Sequence, residues 1–300
     1  DVSPDLTHFL HFNAPVLFRG RFVVTIHDLL MHKQKGLEAT TLSPIKYFVK
    51  RLGYKGVFAF AVRQSQMIIA PSNAVKDEIV DYYKIEGNKI AVTHEGVDVL
   101  PVIGDTKRIL EKFGISSPYF IYTGNAYPHK NLKRAVEATV KLNKERKEPV
   151  LFVVTCARST FTQKLEKLAD EMGATKYIKL LGFVPDHELG ILYKNSLGFL
   201  FPSLSEGFGL PGLEAILSGT LTLASNIPVF KETYGDSVIY FDPLSSSSIK
   251  KAMNEVLLLT EEERTSLIKK AQKFARRYSW DKMARQTLKV YEDSLSLRSG

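Results

Sequence analysis

The chain has 300 residues, room for two domains, and its 44% hydrophobic and 24% charged content is that of a globular protein rather than a disordered or fibrous one. It has no run of about 18 apolar residues, so no membrane-spanning helix is expected, and its single cysteine, Cys156, excludes an internal disulfide and suits a reducing compartment. A net charge of +9 points to an anionic partner without saying which.

No leader pattern is read at the start, and opening at Asp1 rather than Met reads as a fragment or a processed product. Further on, RFVVTI (21–26), QMIIAPS (66–72) and KIAVTH (89–94) read as strands. The rhythm pauses at GVDVLPVIGDTKR (96–108), which holds Pro101 and Gly104. Strands are then expected at PYFIYT (118–123), VLFVVT (150–155), YIKLLG (177–182), SLGFLFPS (196–203), TLTLAS (220–225) and SVIYF (237–241). Helical patterns such as NLKRAVEATVKLNKE and FTQKLEKLADEMG lie between them. Near-continuous apolar strands alternating with amphipathic helices predict an α/β protein with doubly wound parallel sheets covered on both faces. The expected domains are 1–104, joined by a C-terminal helix over 279–300 with Ser279 as its N-cap, and 105–278.

In such sheets ligands bind beyond the carboxyl ends of the strands. His27-Asp28 follows the first strand, Gly124-Asn125 and then His129-Lys130 follow PYFIYT, and Cys156-Ala157-Arg158 follows VLFVVT. Gly182-Phe183-Val184 follows YIKLL, and SLSEGFGLPGLEAILSG follows GFLFP. In that last stretch Glu206 falls in a loop, while Glu214 falls in the first turn of a helix beginning near Pro211 and stopped by Gly219. The amides of Phe208, Gly209 and Leu210 can face an anion between the two acids. Carboxylates repel phosphate but accept hydrogen bonds from hydroxyls. A ligand with a polyol at each end and a diphosphate between them, such as a nucleotide-sugar, matches the layout. Turn chemistry and a favourable helix dipole at Glu214 would explain the same residues without a ligand.

The string SEGFGLPGLEAILSGTLTLASN resembles the signature of retaining glycosyltransferases of the GT-B fold, glycosyltransferase family 4. The resemblance extends to YTGNAYPHKNLKRAVEA, GFVPDHELGILYKNSLGFLFPS, VTIHD and KETYGDSVIYFDP, in order over nearly the whole chain. It implies two Rossmann-like domains, the first incomplete, with the donor held mainly by the second. It implies that Glu206 contacts the transferred sugar, Glu214 the ribose, and the Phe208–Leu210 amides the diphosphate or sugar. Lys130 would neutralise the leaving diphosphate, Val184 would offer backbone groups to the base, and His27 would reach the donor sugar across the interdomain cleft. No cofactor is implied; the nucleotide-sugar, GDP- or UDP-linked, is a substrate. The PHKN-type sequence resembles bacterial mannosyltransferases and makes GDP-mannose the expected donor, with a growing surface polysaccharide or a lipid-linked sugar as acceptor.

Three departures follow. Asn125 stands where the family often has Arg after the glycine of YTG, with Arg158, after the next strand, as a substitute phosphate cation. Cys156-Ala157-Arg158 replaces a glycine-rich sequence. The strand, glycine-rich loop and helix that open a family member are expected to be missing, through truncation or because a second chain supplies them. A non-catalytic nucleotide-sugar-binding subunit, or a fragment of a split enzyme, is the competing reading.

The segment SPIKYFVKRLGYKGVFAFAVR (43–63) interleaves Lys46, Lys50, Arg51, Lys55 and Arg63 with aromatics and has no acid. It reads either as a surface for an anionic membrane, peripheral on the cytoplasmic face, or as a core helix with a snorkelling basic rim. No metal site is apparent: there is no D-x-D pair, and His27 and His32 lack zinc-helix spacing. No nucleic-acid motif is present.

Overall fold

The computed structural model describes residues 4–33 and 43–296, so the last four positions of the expected 279–300 helix lie outside the described residues. The chain divides into two compact units. One comprises the residues up to Gly96, Glu206–Phe208 and the chain from Tyr278 onward; the other comprises Val97–Ser205 and Gly209–Arg277.

The first unit runs β1 (Thr7–Phe9), β2 (Phe22–Thr25), α1 (Leu30–Lys33), α2 (Pro44–Gln64), β3 (Met67–Ala70), α3 (Asn73–Tyr83) and β4 (Ile90–Val92). Its four strands form one parallel sheet in the order β1-β2-β3-β4. Successive side chains of a strand point to opposite faces, and both faces here are covered. Val24 and Ile68 pack with Phe58, Ala61 and Val62 of α2, while Val23 and Ile69 meet Val290 of the C-terminal helix, Trp280–Ser296. This two-sided burial explains why FVVT carries no polar face.

Helix α2 differs between its two halves: the core reading of segment 43–63 holds for the C-terminal one. Tyr54, Phe58, Ala61 and Val62, at i, i+4, i+7 and i+8, are buried in its C-terminal half. In its N-terminal half Ile45, Phe48, Val49 and Leu52 are exposed. Among the described residues no helix is long and apolar enough to cross a membrane.

The second unit runs α4 (Thr106–Lys112), β5 (Tyr119–Thr123), α5 (Leu132–Asn143), β6 (Leu151–Thr155), α6 (Thr160–Glu171), β7 (Ile178–Gly182), α7 (Asp186–Lys194) and β8 (Gly198–Phe201). It continues through α8 (Leu210–Leu217), β9 (Thr222–Ser225), α9 (Pro228–Tyr234), β10 (Ile239–Phe241), α10 (Ser246–Leu258) and α11 (Glu261–Ala275). Its six strands are all parallel, in the order β10-β9-β8-β5-β6-β7. The chain winds outward from β5 through β6 to β7, then returns to the other side of β5 for β8, β9 and β10. The direction of winding reverses between β5 and β8, and their carboxyl ends form the switch point where such sheets bind ligands. Helix α11 starts with a capping box, Thr260 with Glu263, and three acids in its first turn, as its sequence predicts.

Beneath α2, His32 is buried with its Nε2 2.8 Å from the Tyr83 hydroxyl and its Nδ1 2.9 Å from that of Tyr54. Burial, then Lys55 and Arg51, lower its pKa from 6.5 to about 4. The unfolded chain therefore takes up this proton first, and the stability that neutral His32 contributes is present above pH 6.5 and lost as pH falls toward 4. The melting temperature is expected to fall over that interval, and His32→Gln should flatten the fall when melting is followed against pH.

Candidate functional site

The switch point is built from two loops, each fixed by a buried hydrogen bond. After β5 the backbone turns at Gly124, whose φ of +137° and whose contact with the Tyr122 hydroxyl, 2.9 Å from a built Cβ, leave no room for a side chain. Asn125 follows, exposed, its carbonyl accepting from the Tyr122 hydroxyl at 2.8 Å. Pro128–Lys130 form a single 3₁₀ turn, and Asn131 takes a left-handed φ of +59° before α5. The buried Asn131 amide nitrogen donates to the carbonyls of Pro202 and Pro243, at 2.9 and 2.8 Å. This amide ties the PHKN turn to the ends of β8 and β10 and thereby places Lys130. The Leu204 amide donates to the His129 carbonyl at 2.7 Å, joining the same two loops again.

Lys130 is half-buried with its Nζ 5.9 Å from the centre of the Phe201 ring. His129 beside it is neutral at pH 7, because burial and then the Lys130 charge lower its pKa to about 3. Its Nδ1 and the Ser203 hydroxyl are buried without a hydrogen-bond partner in the protein, so this corner keeps unused polar capacity. Arg158 is exposed after β6, the strand beside β5. Val184 is buried after β7, at the sheet's edge, next to the exposed Phe183.

Helix α8 begins at Leu210, with Gly209 as N-cap at φ +102° and Pro211 in the first turn. Its opening is held from behind by Tyr234 of α9, whose fully buried hydroxyl donates to the Gly209 carbonyl at 2.5 Å. The same hydroxyl lies 2.3 Å from where a Cβ on Gly212 would sit. Gly209 is required by its backbone angle and Gly212 by this close approach, so the glycines of the stretch aim a helix start rather than loosen it. The first-turn amides point outward along the helix axis, where an anion is favoured. The helix begins one residue earlier than expected, so Glu214 is the fifth residue of α8, just past its first turn, and is half-buried. Its pKa is raised by burial first, then by Asp186 and Asp98. A carboxylate in that setting gains from hydroxyl donors.

In the first unit, His27 stands at the carboxyl end of β2 with its Nδ1 3.3 Å from Glu95 and its Nε2 3.1 Å from the Leu10 carbonyl. Gly207 packs on the His27 backbone, its built Cβ only 2.0 Å from the His27 carbonyl oxygen, and its own carbonyl accepts from the Ser72 hydroxyl at 2.8 Å. Phe208 is buried against Tyr278 and His94, with ring centres 5.2 and 5.9 Å away. Glu206, half-buried, heads this three-residue segment. Within this unit, then, His27 and the Glu206–Phe208 segment are neighbours. Within the other, Gly124, Asn125, Lys130, Gly209, Leu210 and Glu214 follow the central strands. Asn131, Tyr234 and Glu95 did not stand out in the sequence. Glu95 was accessible to the carboxyl-end rule, since it follows the KIAVTH strand; the partners of Asn131 and Tyr234 lie 71 and 25 residues away.

Two α/β units with parallel sheets are the architecture of the GT-B fold of glycosyltransferases. Residues 105–274, more than half of the chain, match the family described as Glycosyl transferases group 1, and residues 2–99 match Glycosyltransferase Family 4. The chain belongs to the group 1 glycosyltransferases. It is 24% identical over 262 residues to the O-antigen chain mannosyltransferase RfbU of Salmonella typhimurium, covering 86% of this chain and 69% of RfbU. It is 25% identical over 278 residues to O-antigen chain mannosyltransferase B of Escherichia coli, covering 91% and 70% of the two chains. The crystal structure of a glycosyltransferase from Rickettsia africae superposes with a TM-score of 0.73 at 19% identity, over 98% of this chain and 77% of that one.

Asn131→Ala removes both donors from buried carbonyls and puts a Cβ without a polar tip in the left-handed region. A loss of roughly 2–4 kcal/mol is expected by urea unfolding. Asn131→Gly removes the same bonds but tolerates the angle, so it should lose less; equal losses would mean that the left-handed backbone contributes nothing, and no loss in Asn131→Gly would mean that the amide bonds contribute nothing.

Proposed function

We propose that the protein is a retaining glycosyltransferase that moves a hexose, with mannose favoured, from a nucleoside diphosphate sugar to a hydroxyl of a glycan or lipid-linked acceptor in surface polysaccharide or glycolipid synthesis. The observation that carries this reading is the pairing, at one switch point, of Lys130 with a glycine-capped helix start that bears Glu214. Lys130 supplies positive charge to the leaving diphosphate, with exposed Arg158 as a further cation. The amides of Phe208, Gly209 and Leu210 face phosphate or sugar, and Glu214 accepts from the ribose hydroxyls. Gly124 and Asn125 line the phosphate side, and the backbone at Val184 meets the base. Glu206 and His27 grip the transferred sugar.

In the proposed step the bond from the anomeric carbon to the phosphate oxygen breaks, and the acceptor oxygen bonds to that carbon on the same face. The acceptor proton passes to the departing phosphate, which leaves as the nucleoside diphosphate. The side chains position groups and stabilise charge, so no protein nucleophile is needed. Mannose is the favoured sugar because the relatives RfbU and mannosyltransferase B are named as mannosyltransferases, and GDP-mannose is the donor proposed to carry it. In a transfer assay offering GDP- and UDP-sugars, GDP-mannose should turn over best. Lys130→Ala should lower kcat by about 10²–10³-fold, and Glu206→Ala should also lower it. NMR of the product should show the anomeric configuration of the donor. Donor binding without any turnover would favour a binding subunit instead.

The acceptor's setting is read from α2, in the reducing compartment that free Cys156 suits. Ile45, Phe48, Val49 and Leu52 recur at i, i+3, i+4 and i+7 as an exposed apolar stripe, flanked by Lys46 and Lys50 on a helix that carries no acid. Such a face fits the cytoplasmic surface of an anionic bilayer. The protein is expected to sediment with phosphatidylglycerol vesicles and not with phosphatidylcholine vesicles, and the double substitution Phe48→Asp, Leu52→Asp should abolish sedimentation. Equal recovery of wild type in both supernatants would remove the membrane contact.

A further inference from the structure

We propose that Glu95 is a positioning residue for His27, holding its ring as a doubly protonated imidazolium whose Nε2–H is presented to a substrate oxygen. The proposal rests on the role given to His27 above. The two residues come from strands that are not neighbours: His27 follows β2, Glu95 follows β4, and β3 lies between them. Because the strands are parallel, both side chains emerge at the same end of the sheet, and they meet with Nδ1 3.3 Å from the Glu95 carboxylate.

The other ring nitrogen faces an acceptor too, the Leu10 carbonyl at 3.1 Å. A neutral imidazole has one N–H and would turn a lone pair toward one of these two oxygens; only the imidazolium donates to both. The two contacts differ in setting. Glu95 keeps only 15% of its side chain exposed, whereas that of His27 is 45% exposed and the bond to Leu10 lies at the surface. The inner bond is therefore the fixed one, and the outer N–H can exchange Leu10 for a substrate oxygen.

The groups facing the ring favour the charged form. The Glu95 hydrogen bond raises the His27 pKa, burial opposes it, and the Glu95 charge, the Leu10 carbonyl and Asp28 raise it further. His11 lies 6.4 Å away, ring to ring, and His8 is also within electrostatic reach; burial and then the His27 charge hold both below the ordinary histidine value. Of the three histidines, the one beside the carboxylate is thus the one whose surroundings favour the charge.

The test follows the His27 ring by NMR titration of the full chain, with the signal assigned by His27→Asn. Glu95→Gln keeps an acceptor of the same shape and removes the charge. It should lower the His27 pKa by about one unit or more and move the alkaline limb of the transfer rate to lower pH by the same amount. Glu95→Ala should cost activity in the wild-type background and nothing further in His27→Ala. An unchanged His27 titration in Glu95→Gln, or independent losses in the double variant, would overturn the proposal. Full activity in His27→Ala would instead remove the role given to His27, while the titration would still decide whether Glu95 controls the ring.

Discussion

The hydroxyl of Tyr234 on the carbonyl of Gly209 is the contact on which the second unit's site depends. A helix start binds an anion only if its first amides are aimed, and aim requires that the preceding backbone be fixed. Gly209 supplies a turn that a side chain would forbid, Gly212 lets a buried hydroxyl come within contact distance, and Tyr234 occupies the space so made. Asn131 does for the lysine turn what Tyr234 does for the helix, holding two carbonyls at the ends of β8 and β10. The residues proposed to touch substrate are thus carried by residues that donate to backbone carbonyls.

Parallel pairing explains why these parts converge. With every strand running the same way, each carboxyl-end loop emerges on one side, and the reversal of winding between β5 and β8 opens a place between two of them. Two-sided burial of the strands then leaves almost all polar chemistry to those loops. The first unit follows the same rule with four strands, and there the loops after β2 and β4 bring His27 to Glu95.

Much of this was legible in the sequence. Strand after strand was visible as an apolar run, since a buried parallel strand has no polar face to confuse the pattern. The short β1, Thr7–Phe9, only half-buried, lacks that signature. Lys130, Gly209 and Glu214 were found because they follow strands. Tyr234 and Asn131 were not, because a residue that works by donating to a distant carbonyl leaves no local pattern. Segment 43–63 carried two patterns at once, and only burial sorts them, the C-terminal half inward and the N-terminal half outward.

The account stands on a nucleoside diphosphate sugar being held by Lys130, the α8 start and Glu214. Calorimetric titration of the full chain with GDP-mannose and with UDP-glucose tests it most directly. Saturable binding of GDP-mannose, weakened about tenfold or more in Lys130→Ala and in Glu214→Ala, with both variants still folded, is the predicted result. Binding of neither sugar nucleotide by the wild-type chain, or binding left unchanged by both substitutions, would contradict it.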